Sequence, residues 1–211
     1  GRDHFHIRDV APDGSRLLLA QSRNANEHDH LLLLDRQTGD LTPLTPTQHT
    51  HYVYGGAFSA DRTAIFFLAD FDYDRAEVTQ GAWLWRQDLA TGERTCLAQA
   101  DSPPHFYVGP LLSSDGTRLL WHRSDHAPGG YQLWVVPVSG GDAAKVLDLG
   151  PKNNVLAVWL DDDRIGFVCD HEGRDKLGVL TLSTGRVDWV AGEPQLYPHA
   201  VLAGTAQDFL C

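Results

Sequence analysis

Val10-Ala11-Pro12-Asp13-Gly14-Ser15-Arg16-Leu17-Leu18-Leu19-Ala20 decides the fold, because it recurs. It is a turn signal followed by an apolar run. Phe58-Ser59-Ala60-Asp61-Arg62-Thr63-Ala64-Ile65-Phe66-Phe67 is a second copy. Leu112-Ser113-Ser114-Asp115-Gly116-Thr117-Arg118-Leu119-Leu120-Trp121 is a third. Trp159-Leu160-Asp161-Asp162-Asp163-Arg164-Ile165-Gly166-Phe167-Val168 is a fourth, one residue shorter. Asp or Ser opens a tight turn by bonding its side chain to the backbone ahead, and Gly tolerates positive φ. A β-rich apolar segment then leaves the turn as a strand.

A second signal alternates with the first. It reads Asp35-Arg36-Gln37-Thr38-Gly39-Asp40, Asp88-Leu89-Ala90-Thr91-Gly92-Glu93, Pro137-Val138-Ser139-Gly140-Gly141-Asp142 and Thr181-Leu182-Ser183-Thr184-Gly185-Arg186. Each is a short polar hairpin between two apolar runs. Asp13, Asp61, Asp115 and Asp162 are 48, 54 and 47 residues apart. A period near fifty with two turns per period marks a repeat architecture.

Each period yields four strands. The first predicts Phe5–Val10, Arg16–Gln21, His30–Asp35 and Asp40–Thr45, the last at an edge because Pro43 lacks a ladder donor. Leu31 to Leu34 reads as a strand buried on both faces rather than a helix, on its length and flanking turns. The second predicts Tyr52–Phe58, Ala64–Ala69, Ala82–Asp88 and Glu93–Leu97, with Trp83 and Trp85 on one face and Leu84 on the other. The third predicts Tyr107–Leu112, Arg118–Arg123, Tyr131–Val138 and Ala144–Leu147. The fourth predicts Val155–Leu160, Ile165–Cys169, Lys176–Leu182 and Val187–Val190. A further unit starts at His199–Leu202. No amphipathic helix of ten residues is apparent.

A four-stranded meander of this size cannot bury both faces alone. The expected fold is therefore an all-β propeller of antiparallel blades. The blades are expected over residues 1–47, 48–100, 101–150 and 151–193, with the start of another at 194–211. Four and a half blades do not close neatly, so the chain is expected to be part of a propeller of seven or eight. A solenoid of sheets is the rival arrangement.

The chain has 211 residues and a formal net charge of −11. Such an acidic balance supplies no electrostatic reason to bind nucleic acid or anionic lipid, and neither is expected as a partner. No run of eighteen apolar residues predicts a membrane-spanning helix. Cys96, Cys169 and Cys211 are odd in number and far apart, which reads as incidental thiols in a reducing, cytoplasmic setting.

Chemical motifs are sparse. Pro137-Val138-Ser139-Gly140-Gly141 is a near miss to a nucleophile elbow, in a hairpin rather than strand–turn–helix context. No phosphate loop and no H-E-x-x-H occurs. The pairs His4/His6, His28/His30 and His49/His51 could each offer two imidazoles on one strand face to a metal, but read first as hydrogen-bonded or surface histidines. Asp70-Phe71-Asp72-Tyr73-Asp74 opens like a calcium loop, yet has Arg75 at the sixth position and Gly81 at the twelfth. It reads as a solvated loop. Asp161-Asp162-Asp163 is explained by turn chemistry, and the six tryptophans by packing between blades. No cofactor is expected.

The links between second and third strands are expected to be long polar loops, at Ser22–Asp29, Asp70–Gly81, Ser124–Gly130 and Asp170–Asp175. In a meander these fall at one end of every sheet, where variable loops carry function. Arg75, Glu77, Arg123, Asp125, Glu172 and Arg174 are the candidate contact residues there, with Arg23 and His126 beside them.

The unit (S/A)-x-D-G followed by D-x-x-T-G-(E/D) resembles the TolB-like β-propeller repeat. Ala11-Pro12-Asp13-Gly14 and Ser113-Ser114-Asp115-Gly116 match its first half; Asp35–Asp40 and Asp88–Glu93 match its second. Arg62 and the shortened fourth turn depart from it. Tyr54-Gly55-Gly56-Ala57-Phe58-Ser59 and Asp170-His171-Glu172-Gly173-Arg174-Asp175-Lys176-Leu177 are similar to stretches of the N-terminal propeller in prolyl oligopeptidase family serine peptidases, of the dipeptidyl aminopeptidase and acylaminoacyl peptidase type. That resemblance implies an α/β-hydrolase domain in the same parent protein, covered by a propeller that admits short peptides. It carries no catalytic residue onto this sequence. A TolB-like protein-binding scaffold, which would be periplasmic, is the alternative; a metal-dependent propeller enzyme is a third.

Overall fold

In the computed structural model, residues 3–22, 28–46, 51–102, 108–126, 130–151, 153–172 and 174–190 are described. All their regular structure is β. Strands β1 (His4–Val10), β2 (Arg16–Ser22), β3 (Asp29–Asp35) and β4 (Leu41–Pro43) form the first sheet. The second holds β5 (Val53–Phe58), β6 (Ala64–Asp72), β7 (Glu77–Asp88) and β8 (Arg94–Ala98). The third holds β9 (Leu111–Leu112), β10 (Arg118–Arg123), β11 (Gln132–Pro137) and β12 (Ala144–Leu147). The fourth holds β13 (Val155–Trp159), β14 (Arg164–His171), β15 (Arg174–Thr181) and β16 (Arg186–Val190). Each sheet is an antiparallel meander in chain order, the form of a propeller blade. The chain divides into two compact units, Gly1–Pro110 with the first two sheets and Leu111–Cys211 with the last two. The half-blade expected at 194–211 lies outside the described residues.

The repeated turn is built the same way each time. Ala11 N–H donates to Arg16 O at 2.9 Å, Ser59 N–H to Ala64 O at 2.9 Å and Ser113 N–H to Arg118 O at 2.8 Å. The fourth closes one residue earlier, from Leu160 N–H to Arg164 O at 2.9 Å. A carboxylate holds each loop by accepting the N–H two residues on: Asp13 from Ser15, Asp61 from Thr63, Asp115 from Thr117 and Asp161 from Asp163. In the fourth turn Asp161, not Asp162, therefore has the role of Asp13.

Gly14, Arg62 and Gly116 share the left-handed corner of this turn, with φ of 68°, 64° and 72°. Arg62 is strained there and compensates with an ion pair to Asp13 of the preceding sheet. Gly116→Val should therefore cost about 1–2 kcal/mol, because a β-branched side chain is forced into that region. Arg62→Gly should leave stability nearly unchanged, since relieved strain offsets a half-exposed ion pair. Urea midpoints of the two variants measure both.

The hairpin between third and fourth strands is held by an aspartate in the first two sheets, while Pro137 takes that place in the third. Asp35 Oδ1 accepts from Gln37 N–H and Thr38 N–H at 2.8 and 3.0 Å; Asp88 Oδ1 accepts from Ala90 and Thr91, each at 2.9 Å. In the fourth sheet Thr181 replaces that aspartate. Asp163 reaches across from the shortened turn instead, accepting from Ser183 N–H at 2.8 Å and from its hydroxyl at 2.7 Å. The two turns at this end of each sheet are also joined by backbone bonds: Arg36 N to Ser15 O, Leu89 N to Thr63 O, Val138 N to Thr117 O and Leu182 N to Asp163 O, at 2.8–3.0 Å.

Two expected loops are strand instead. Asp70–Gly81 was expected to be one polar loop, but β6 continues to Asp72 and β7 begins at Glu77, leaving a turn at 73–76. Phe71 is buried there, and Asp72 Oδ1 accepts from Asp74 and Arg75 N–H at 2.9 and 3.2 Å. Ala76 takes the left-handed position that Gly holds in the other hairpins, at φ 56°. Asp170–Asp175 is likewise a hairpin, with Asp170 paired to Asp175 and His171 to Arg174. The third sheet errs the other way: of Tyr107–Leu112, only Leu111–Leu112 is strand among the described residues.

Cores lie between sheets within each unit. Leu18, Ala20 and Leu31 of the first sheet meet Phe58, Ile65, Phe67 and Trp85 of the second. Leu120, Leu133 and Val135 of the third meet Ile165, Phe167 and Leu180 of the fourth. The second sheet is buried on both faces: Ile65 to Ala69 are all 0–1% exposed, as is Leu84 opposite the Trp83–Trp85 pair. Full burial of each such Ile, Phe or Leu side chain stabilises by about 1.5–3 kcal/mol, so the sheet depends on packing beyond its own strands. Trp121 is also buried, but Trp189 is 41% exposed and departs from the packing role expected of it.

Candidate functional site

The candidate contact residues sit at the ends of second and third strands, opposite the repeated turns. Arg75 is exposed in the Tyr73–Ala76 turn, with its guanidinium 3.5 Å from Asp72 Oδ2. Glu77 is exposed at the first position of β7, across from Asp72. Glu172 is 2.5 Å from Lys176 Nζ and lies at φ 55° in the β14–β15 turn. Arg174 opens β15, opposite His171.

Arg123 and Asp125 are the candidates that the fold brings into direct contact. Arg123 Nε donates to Asp125 Oδ1 at 3.0 Å, and Trp134 Nε1 donates to Asp125 Oδ2 at 3.0 Å. Asp125 N–H donates to Gln132 Oε1 at 2.7 Å. The Arg123 guanidinium lies 4.2 Å from the Trp134 ring centre and 5.0 Å from that of Trp121. Cross-strand register explains this cluster: Trp121 faces Trp134, and Arg123 faces Gln132. A second ion cluster completes the region, with Asp148 accepting from Lys145 Nζ at 2.8 Å and contacting His126 Nε2 at 3.0 Å. Trp134, Lys145 and Asp148 escaped the sequence because their proximity depends on register, not spacing.

His28, His30 and His51 serve packing. His51 is fully buried, stacked 4.3 Å from Phe71, with Nε2 3.2 Å from Tyr73 Oη. His30 is buried, and His28 stacks 4.3 Å from Tyr52. His4 and His6 are exposed on β1; His49 lies outside the described residues. Among the described residues, no three His, Cys, Asp or Glu side chains are grouped to hold a metal. Buried His122 accepts from Ala157 N–H at Nε2, 3.0 Å, which puts its ring proton on Nδ1. Burial pushes the thiols of Cys96 and Cys169 up to about 11, which keeps them protonated and unreactive at neutral pH.

The turn carboxylates are shifted the other way. Hydrogen bonds from the Ser15 hydroxyl and amide lower Asp13 to about 2. Those from the Ser113 hydroxyl and the Thr117 amide lower Asp115 to about 2. Burial pushes Asp148 up, but Lys145, Gly150 N–H and His126 outweigh it and bring it to about 2. Asp70, half-buried, is raised by desolvation. A depressed carboxyl stabilises the fold above its unfolded value near 4 and loses that contribution as pH falls towards 2. The urea midpoint should therefore fall between pH 4 and pH 2, and fall less steeply in a variant carrying Asp13→Asn with Asp115→Asn.

No protein-family model matches the chain, and no curated protein does. Solved structures match its fold. A TolB from Agrobacterium tumefaciens aligns at TM-score 0.64 and 17% identity, over 85% of this chain and 62% of that one. A structure from work on two prolyl endopeptidases aligns at 0.65 and 15%, over 92% of this chain and 29% of that one. The β-propeller domain of a trilobed protease from Pyrococcus furiosus aligns at 0.61 and 10%, over 90% and 58%. The chain spans less than two thirds of each. It is an all-β chain of propeller blades, similar in fold to the propellers of TolB and of prolyl oligopeptidase family proteins.

Proposed function

We propose that this chain is the non-catalytic propeller portion of a prolyl oligopeptidase-like serine peptidase. In this reading it limits which peptides reach an α/β-hydrolase domain carried by the same parent protein. The observation that carries it is the match to the prolyl endopeptidase structure, which takes in 92% of this chain but only 29% of that longer one. The stretches Tyr54–Ser59 and Asp170–Leu177, which resemble that family's propeller, support it.

The chemistry of the described side chains agrees with a gate rather than a catalyst. Arg123 and Asp125 satisfy each other and Trp134, so they brace the end of the third blade. Arg75 and Glu77 are exposed on one tight turn and remain available to a peptide's carboxylate and amine. Glu172 and Arg174 flank the corresponding turn of the fourth blade.

The purified chain should not hydrolyse peptide p-nitroanilides. The full-length parent should be labelled by a fluorophosphonate at one serine, and should cleave short peptides while sparing folded proteins. A full-length parent without such a serine would instead favour a TolB-like scaffold. Arg75→Ala with Glu77→Ala should raise KM for short peptides in the parent without changing its labelling rate.

A further inference from the structure

We propose that His122 is an acid-sensitive latch between the third and fourth sheets: neutral, it holds the first strand of the fourth sheet, and protonated, it releases that strand. His122 lies on β10, opposite Leu133 of β11, and is fully buried. Its Nε2 accepts from the N–H of Ala157 on β13 at 3.0 Å. That amide has no place in the fourth sheet's own ladder. Leu160 N–H donates to Arg164 O, and Asp170 N–H donates to Asn154 O, both between the β13 and β14 sides of the sheet. Bonded and non-bonded residues alternate along an antiparallel pair, so the even-numbered residues of β13 turn their N–H groups to β14. Ala157 turns its N–H to the open edge, where a group from outside the sheet must satisfy it. His122 is that group.

The acceptor role fixes the charge state, because an imidazole nitrogen that accepts a hydrogen bond carries no proton. Whatever the Nδ1 side meets, a proton on Nε2 and the Ala157 N–H cannot share the 3.0 Å between them. The closed latch therefore excludes a proton that an open ring takes up at about pH 6.5. Its setting is apolar: Leu120, Leu133 and Val135 of the third sheet meet Val155, Phe167 and Leu180 of the fourth. The titratable and charged side chains described on these two faces are Arg118 near the repeated turn, and Cys169, His171 and Lys176 towards the opposite end. By register, β9, β11, β12, β13 and β16 add none to them. Burial keeps the Cys169 thiol protonated, Lys176 is bound to Glu172, and Arg118 donates to Asp162 O. The two cations oppose a further positive charge.

The first unit meets the same need with a different group. Ser59 N–H joins the ladder, so Phe58 N–H is an edge amide of β5, and Asp9 Oδ2 of the first sheet accepts it at 2.7 Å. A carboxyl offers an acceptor oxygen in either protonation state, whereas an imidazolium offers none. The position of β2 that matches His122, four residues after the arginine that opens the strand, is Ala20. The acid-sensitive contact thus belongs to the junction of the third and fourth sheets.

The latch rests on the fold and not on the peptidase reading, and its test reads no activity. Exchange of the Ala157 amide is followed by NMR at about pH 7.5 and about pH 5.5, relative to the unstructured rate at each pH. One proton taken up on opening should lower its protection about tenfold over that interval. His122→Gln offers an amide oxygen as acceptor and does not titrate, so its protection should fall about tenfold less than that of the wild type. The other buried histidines, His30 and His51, contribute to both proteins and cancel. Equal falls in the two proteins overturn the proposal. Where the variant fails to fold, the wild-type ring decides alone. Its nitrogen resonances at the lower pH should still be those of a neutral ring with the proton on Nδ1. An imidazolium there, in a folded chain whose Ala157 amide stays protected, overturns the proposal.

Discussion

Gly55→Ala should destabilise the first unit by about 3 kcal/mol, most of it from overpacking against backbone. A Cβ at Gly55 would lie 2.1 Å from Gly109 Cα and 3.0 Å from its nitrogen. The reciprocal Cβ at Gly109 would lie 2.4 Å from Gly55 Cα. Neither partner is the end of a flexible side chain, so neither can swing aside. Gly55 adds a second penalty, because its φ of 65° is left-handed. Gly39 supplies the control. Its φ is 79°, but an added Cβ meets nothing within 4 Å. Gly39→Ala should therefore cost only the conformational part, about 1 kcal/mol. Urea unfolding of the three proteins separates the terms, and equal losses at Gly39 and Gly55 would mean that the close approach contributes nothing.

Gly55 also shows what was legible in the sequence. The pair Gly55-Gly56 at a strand entry was visible as a motif, yet its partner Gly109 was not, because close approach joins positions far apart in the chain. Turns were legible wherever a glycine marked the left-handed residue, as at Gly14, Gly39 and Gly92. Arg62 takes that conformation too, but its turn was legible from the repeat around it; two turns outside the repeated signals were missed where another residue does so. Ala76 and Glu172 do so, and the expected loops at Asp70–Gly81 and Asp170–Asp175 are hairpins for that reason. The spacing from Asp72 to Glu77 repeats that from Asp35 to Asp40, so it was the available signal. The contact between Arg123 and Asp125 follows from i,i+2 proximity on one face. The part played by Trp134 needs the pairing register, which composition does not encode.

Arg94 is the second residue whose loss should be felt strongly. It starts β8 with its guanidinium half-buried, and burial pulls its pKa below the usual arginine value. Desolvation on that scale is tolerated only when the donors are used. Arg94 Nη2 donates to Leu44 O at 2.8 Å, just past β4 of the neighbouring sheet, and Nε donates to Gln87 Oε1 at 2.9 Å. Gln87 Nε2 donates to the same Leu44 carbonyl at 3.1 Å, so three groups form one closed set. The guanidinium also lies 4.4 Å from the ring centre of Tyr73, whose hydroxyl pKa is raised by burial. Arg94→Met keeps the apolar stem but removes two charge-assisted bonds and the ring contact, and should cost about 3 kcal/mol. Arg94→Lys keeps the charge without the planar fork and should recover less than half of that. If Gln87→Leu is added to Arg94→Met, the loss should be far from additive, because Leu44 O then loses both donors. Urea midpoints of the four proteins measure the coupling. Additive losses would mean that Arg94 and Gln87 hold the first sheet to the second independently.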